Sequence, residues 1–224
     1  MKKRTAFIGA IFFLIPLANP LLIKTGFVLS SSALMLSLSE KVNAESVNFY
    51  FDSGYEKGKR GDYYGAISDF TKAIEINPST NAYYNLGWNK AKLKDYYGAI
   101  SDYTKAIEID PNNINAFYNR GSAKNELKDY FGAIADFTRA IEIDPNYTKA
   151  YNNRGYSKDA LKDYYGAISD YTKAIEIDPN YALGFANRGS AKESIGDMQG
   201  ACDDWRQATS LGDKDAAKWV RNQC

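Results

Sequence analysis

Residues 94–111 read KDYYGAISDYTKAIEIDP; the same eighteen residues return unchanged at 162–179 and with four changes at 128–145. Glycines around this block keep its period. Gly54, Gly87, Gly121, Gly155 and Gly189 stand 33, 34, 34 and 34 residues apart, and each is followed eleven positions later by Gly65, Gly98, Gly132, Gly166 or Gly200. Pro78, Pro111, Pro145 and Pro179 close the first four of five units. A repeat of this length marks an array whose members bury apolar surface against their neighbours.

Each unit reads as two helices. In NAYYNLGWNKAKLK (81–94), Tyr83, Leu86 and Leu93 fall at helical intervals, and Gly87 leaves space for a close neighbour. In AISDYTKAIEI (99–109), Ala99, Tyr103, Ala106 and Ile107 form one stripe. Lys94-Asp95 is a polar turn between them, and Pro111 ends the second helix because it has no amide hydrogen and clashes with the preceding turn. One unit is therefore helix A, turn, helix B, turn. Ala66, Ala99, Ala133, Ala167 and Ala201 let the pair approach, since overpacking there would cost roughly 1–3 kcal/mol. Tyr50, Tyr83, Phe117, Tyr151 and Phe185, with Phe70, Tyr103, Phe137, Tyr171 and Trp205, are expected to fill the core.

These features resemble the tetratricopeptide repeat family over residues 47–212. The family's small and aromatic positions correspond to Tyr83, Gly87, Ala99, Tyr103, Ala106 and Pro111, and the pattern recurs at Phe117, Gly121, Ala133, Phe137, Ala140 and Pro145 and at Tyr151, Gly155, Ala167, Tyr171, Ala174 and Pro179. The resemblance implies an all-α fold, a right-handed superhelical solenoid of helix hairpins with repeats near 47–79, 80–113, 114–147, 148–181 and 182–212. It also implies a concave wall of A helices that holds an extended peptide or a partner's helix. By position that wall carries Phe51, Tyr55, Tyr84, Trp88, Tyr118, Ser122, Asn125, Asn152, Tyr156 and Asp159, with Asn85, Asn119 and Asn153 beside them. Tyr84 and Trp88 are the expected anchors, because aromatics carry much of an interface's energy, and the asparagines suit a ligand's backbone. The competing reading assigns these side chains to lateral contacts between repeats.

Three further series follow the period. Arg120, Arg154 and Arg188 precede the repeat glycine, where they either pair with Asp136, Asp170 and Asp204 of helix B or form a clamp for a partner's carboxylate. Lys57, Lys90, Lys124, Lys158 and Lys192 read as a solvated edge whose stems cover apolar surface. Tyr64, Tyr97, Phe131 and Tyr165 depart from the family pattern, which usually has a charged residue there. On the convex side they could bind a second partner, touch a membrane, or pack over the helix ends.

Both chain ends differ from the array. Lys2, Lys3 and Arg4 precede an apolar run from Ala6 to Ile23, a membrane-targeting pattern. Residues 1–44 are expected to be a signal peptide cut near Val42-Asn43-Ala44, an uncleaved anchor that would give membrane contact, or a two-span hairpin. The first two place the repeats outside the cytoplasm, in a periplasm or organelle-like lumen. At the other end, Gly212 is a helix stop and 213–224 a short capping helix. Cys202 and Cys224 either form a disulfide that ties this cap down or remain unpaired.

Composition narrows the function classes. The formal charge of +1 and the lack of basic clusters give no landing site for nucleic acid. With no histidine in the chain, Ser-His-acid and Cys-His mechanisms are excluded, and two cysteines are too few for an ordinary structural zinc site. No phosphate loop occurs. The chain is expected to be no enzyme and to carry no cofactor or metal. It reads as a scaffold holding a protein or peptide, with assembly of a membrane or envelope complex as the expected setting. The alternatives are a self-associating array that forms homo-oligomers and an envelope carbohydrate binder.

Overall fold

The computed structural model describes residues 31–224. Among them are eleven helices and no strand: α1 (Ser31–Lys59), α2 (Tyr63–Ile76), α3 (Thr80–Lys92), α4 (Tyr96–Ile109), α5 (Ile114–Glu126), α6 (Tyr130–Ile143), α7 (Thr148–Ala160), α8 (Tyr164–Ile177), α9 (Ala182–Ser194), α10 (Met198–Ser210) and α11 (Lys214–Gln223). The chain divides into two compact units, Met1–Val42 and Asn43–Cys224. In the first, the described residues are the opening turns of α1, where Leu36 and Val42 are exposed. The apolar run from Ala6 to Ile23 lies outside the described residues. Among those described, no helix is long and apolar enough to cross a membrane.

In the second unit each helix from α2 onward packs on the next, and α3, α5, α7 and α9 also meet one another in sequence. This is a solenoid of helix hairpins with A helices along one wall. The repeated KDYYG block makes the turn. Lys94 takes a left-handed φ of 62°, its N–H donates to the carbonyl of Ala91, and that of Asp95 donates to Lys90, which together cap the C-terminus of helix A. Lys128 and Lys162 repeat this geometry, and Gly61 and Gly196 hold the position in the terminal repeats. Asp95 then caps α4, its carboxylate accepting from the Gly98 N–H at 3.0 Å. A Cβ at residue 98 would run into that carboxylate, so the block needs its glycine.

Packing within a hairpin rests on the other glycine series. Phe70, Tyr103, Phe137, Tyr171 and Trp205 are fully buried, each with its ring against the glycine of its own helix A. The fit tightens along the chain. A Cβ built on Gly54 would lie 3.2 Å from Phe70, on Gly87 3.0 Å from Tyr103, on Gly121 2.9 Å from Phe137, and on Gly155 2.8 Å from Tyr171.

The array closes on α11. Gly212 ends α10 at φ 95°, and the Asp213 carboxylate accepts from the N–H groups of Asp215 and Ala216, both at 2.9 Å. Cys202 and Cys224 are joined in a disulfide with Cα atoms 5.7 Å apart. Ala216 is buried, and the rings of Trp205 and Trp219 meet at 5.6 Å between centroids. The cap covers the apolar end of the last hairpin.

Candidate partner-binding wall

Beneath the wall, every helix B carries one buried acid: Asp69, Asp102, Asp136, Asp170 or Asp204. Each must be neutralised where it sits. The Arg120 Nε and Nη2 donate to the two carboxylate oxygens of Asp136 at 2.9 and 2.6 Å, and Nη1 donates to Thr104 Oγ1 of the preceding helix B at 3.0 Å. Arg154 repeats this on Asp170 and Thr138, and Arg188 on Asp204 and Thr172. The guanidinium groups also lie over the rings of Phe117, Tyr151 and Phe185 at 5.4–5.5 Å. A guanidinium with both edges engaged this way has no fork left for a partner's carboxylate, so the clamp reading falls.

The lysine series is corrected as well. Lys57, Lys90, Lys124, Lys158 and Lys192 reach these same aspartates at 2.5, 2.7, 2.8, 2.7 and 2.8 Å. They are not a free solvated edge, because the buried acids draw their amines inward. Earlier repeats lack the arginine: Ser53 donates to Asp69 at 2.6 Å in the first, and the apolar Leu86 stands there in the second.

Above this layer the wall carries three depressions. One of about 560 Å³ spans α5, α7 and α9 and brings together Ser122, Asn125, Asn152, Asn153 and Tyr156, with Leu183 and Asn187. Another of about 190 Å³ lies between α1 and α3, lined by Tyr55, Tyr84, Asn85 and Trp88, with Gly58 and Asn89. A third of about 220 Å³ lies between α3 and α5 and includes Trp88, Asn119 and Ser122. Trp88 therefore forms part of two depressions.

Several expected wall residues work sideways between repeats. The Asn119 amide donates to the Tyr84 hydroxyl and that of Asn153 to the Tyr118 hydroxyl, both at 2.9 Å. The Asn187 amide donates to Asn152 Oδ1 at 3.0 Å. Tyr118 meets Tyr147 in a tilted ring contact at 5.1 Å and approaches Phe137 at 5.7 Å, while Phe51 packs edge-on against Phe70 at 5.5 Å. Burial raises the pKa of both Tyr84 and Tyr118, and pushes Tyr147 up to about 12. Tyr84 is thus a half-buried rung of the ladder and no free anchor, whereas Tyr55 and Tyr156 remain half exposed. Asp159 forms no ion pair, and burial raises its carboxyl.

Asn187 and Leu183 were missed from sequence, although Asn187 continues the series Asn85, Asn119, Asn153 by 34 residues. That register was the available signal. The convex row is settled differently. Tyr64, Tyr97, Phe131 and Tyr165 are 75–77% exposed, so they do not pack over the helix ends. They occupy the second position of helix B, pointing away from a backbone already capped by aspartate. Among the described residues no cluster of three or more His, Cys, Asp or Glu could hold a metal.

Profiles of the tetratricopeptide repeat match residues 47–80, 80–113, 102–135 and 148–181, together more than half of the chain. The chain belongs to the tetratricopeptide repeat family, a family of interaction scaffolds that are generally not enzymes. Among solved structures it is similar to a MamA protein at 26% identity, over 81% of this chain and 97% of that one, with a TM-score of 0.71. MamA from Desulfovibrio magneticus RS-1 matches at 20% identity over 74% and 94% of the two chains, TM-score 0.71. YrrB, described as a TPR protein with an unusual peptide-binding site, matches at 22% identity over 77% and 90%, TM-score 0.67. No curated protein sequence matches.

Proposed function

We propose that the wall of A helices binds an extended peptide segment of a partner protein, centred on the depression over α5, α7 and α9. The observation that carries this reading is the convergence there of Asn125, Asn152, Asn153 and Asn187 beside Tyr156 and Leu183. An amide side chain offers two donors and an acceptor with two lone pairs, and the ladder uses only part of that capacity; the remainder matches the alternating N–H and C=O groups of an extended backbone. The description of YrrB as peptide-binding supports the same reading. The basic and apolar N-terminus and the Cys202–Cys224 disulfide support a location outside the cytoplasm, where such a bond persists. Affinity capture from an envelope fraction tests it. A Tyr156→Ala/Asn187→Ala variant should lose the partner that the wild type retains, and equal recovery by both would reject the wall.

A second reading is favoured by the exposed row Tyr64, Tyr97, Phe131 and Tyr165. Four aromatics at the repeat period form a ridge on which copies of the chain could associate. Sedimentation of a Tyr97→Ser/Phe131→Ser/Tyr165→Ser variant should then show a smaller species than the wild type; an unchanged distribution would remove this reading.

A further inference from the structure

The wall's own aromatics stop partway along it. One register carries Phe51, Tyr84, Tyr118, Asn152 and Ala186 through the five repeats. The hydroxyls of Tyr84 and Tyr118 each accept from an asparagine amide of the next A helix, Asn119 or Asn153, both at 2.9 Å. Asn187 continues that asparagine series but meets no tyrosine, and its Nδ2 donates instead to Asn152 Oδ1 at 3.0 Å. This spends one of its two N–H groups. Among the described residues the Asn187 side chain has no other hydrogen bond, so one donor and the Oδ1 acceptor are left over. A second register changes at the same place: Asn81, Asn115 and Lys149 give way to Leu183, which is 47% exposed. Leu183 and Asn187 are four residues apart and share one face of α9, where both line the depression of about 560 Å³.

Asn152 lies buried beneath this depression, so the partly exposed Asn187 is the amide that a guest meets. Glu126 and Lys128, the charged members of the lining, stand at and just beyond the C-terminus of α5, away from the α9 end. An exposed leucine beside an amide with a donor and an acceptor to spare calls for an apolar body carrying one group that both accepts and donates. A hydroxyl does both. An indole or an ammonium only donates, a carboxylate only accepts, and a phenylalanine ring does neither. Serine, threonine and amide groups satisfy Asn187 but bring little apolar surface to Leu183. Tyrosine supplies both parts, and Tyr84 and Tyr118 show this wall already seating its hydroxyl against the same asparagine register.

We infer that the partner's segment places a tyrosine side chain at the α9 end of this depression, its ring on Leu183 and its hydroxyl accepting from the Asn187 amide. The inference rests on the peptide-binding reading and narrows it to one residue of the partner. p-Cresol and toluene, which are the tyrosine and phenylalanine side chains without a backbone, are titrated into the full-length chain while the Asn187 side-chain amide and the Leu183 methyl groups are followed by NMR. p-Cresol should shift both signals and bind about fivefold more tightly than the more apolar toluene, the worth of one net hydrogen bond. Asn187→Leu should abolish that preference and still bind toluene. Leu183→Lys, which copies Lys149 of the preceding repeat, should weaken both probes at an unchanged melting temperature. Binding of p-cresol no tighter than toluene, shifts that bypass Leu183 and Asn187, or a full preference in folded Asn187→Leu would each overturn the tyrosine site. Partner capture by the wild type and by Tyr156→Ala/Asn187→Ala is read without these probes, so the wall and the tyrosine site fail separately.

Discussion

The first two repeats and the last three share one hairpin but hold their buried acid differently. In the later repeats the aspartate receives a two-pronged arginine and a lysine, and the arginine also bridges to the preceding helix B. In the second repeat Asp102 has only Lys90, 2.7 Å away but poorly angled for a hydrogen bond, and Leu86 takes the arginine's place. The glycine-to-ring contact is also looser in the first two repeats. One helix pattern thus supports a C-terminal part in which an arginine ties each repeat to the one before it, and a junction between the first and second repeats where no arginine does so. The large amide-lined depression lies on the tied part. Rigid support beneath a binding surface lowers the ordering cost of occupying it.

The largest expected effect comes from removing a tied acid. Asp170→Ala strands Arg154 and Lys158 and should cost about 3–5 kcal/mol in chemical unfolding. Asp102→Ala frees only a lysine that can return to water and should cost about 1 kcal/mol or less. Equal losses would erase the contrast between the two regions. Next comes the glycine series. Gly155→Ala pushes a Cβ against the Tyr171 ring and should cost about 1–3 kcal/mol. Gly54→Ala, with 3.2 Å available, should cost less, and thermal melts of the pair measure the difference.

Smaller still is the left-handed turn. Lys128→Gly relieves a φ of 61° and should raise stability by about 1 kcal/mol, whereas the terminal repeats already have glycine there. Last is the titration of the two early acids, followed by carboxyl carbon shifts in NMR. For Asp69 burial pushes upward, but the bonds from Lys57 and Ser53 outweigh it and the pKa falls below its ordinary value; for Asp102 burial prevails over Lys90 and the pKa rises. The signs are opposite. Asp69 contributes stability above pH 3.8 that is lost as pH falls through its folded value. The contribution of Asp102 is present below pH 3.8 and is lost as pH rises through its folded value. Titration of both in the same direction would contradict the different environments.

The period, the hairpin and the glycine-to-ring contact were legible in sequence, because each repeats at a fixed offset within one unit. The division of helix A into wall and flank was not. Asn119 meets Tyr84 and Asn153 meets Tyr118 at a separation of 35, one residue beyond the period, and that offset comes from the stagger of neighbouring A helices. Period alone says nothing about stagger, so Tyr84 read as an anchor and Tyr118 as open wall, although the hydroxyls of both belong to the ladder. Lysines at 57, 90, 124, 158 and 192 misled for a related reason: long stems reach an acid on the partner helix, a pairing no spacing on their own helix reveals. The arginine partners were found because residue type and position together named an acid one helix away.

The most direct test of the peptide-binding wall uses a peptide selected on the full-length protein from a random library. Its position is mapped by NMR on the asparagine side-chain amides. The account predicts shifts at Asn125, Asn152 and Asn187, and at least a tenfold loss of affinity in Tyr156→Ala/Asn187→Ala. Shifts confined to the neighbourhood of Tyr97, Phe131 and Tyr165, with unchanged affinity in that variant, would contradict it.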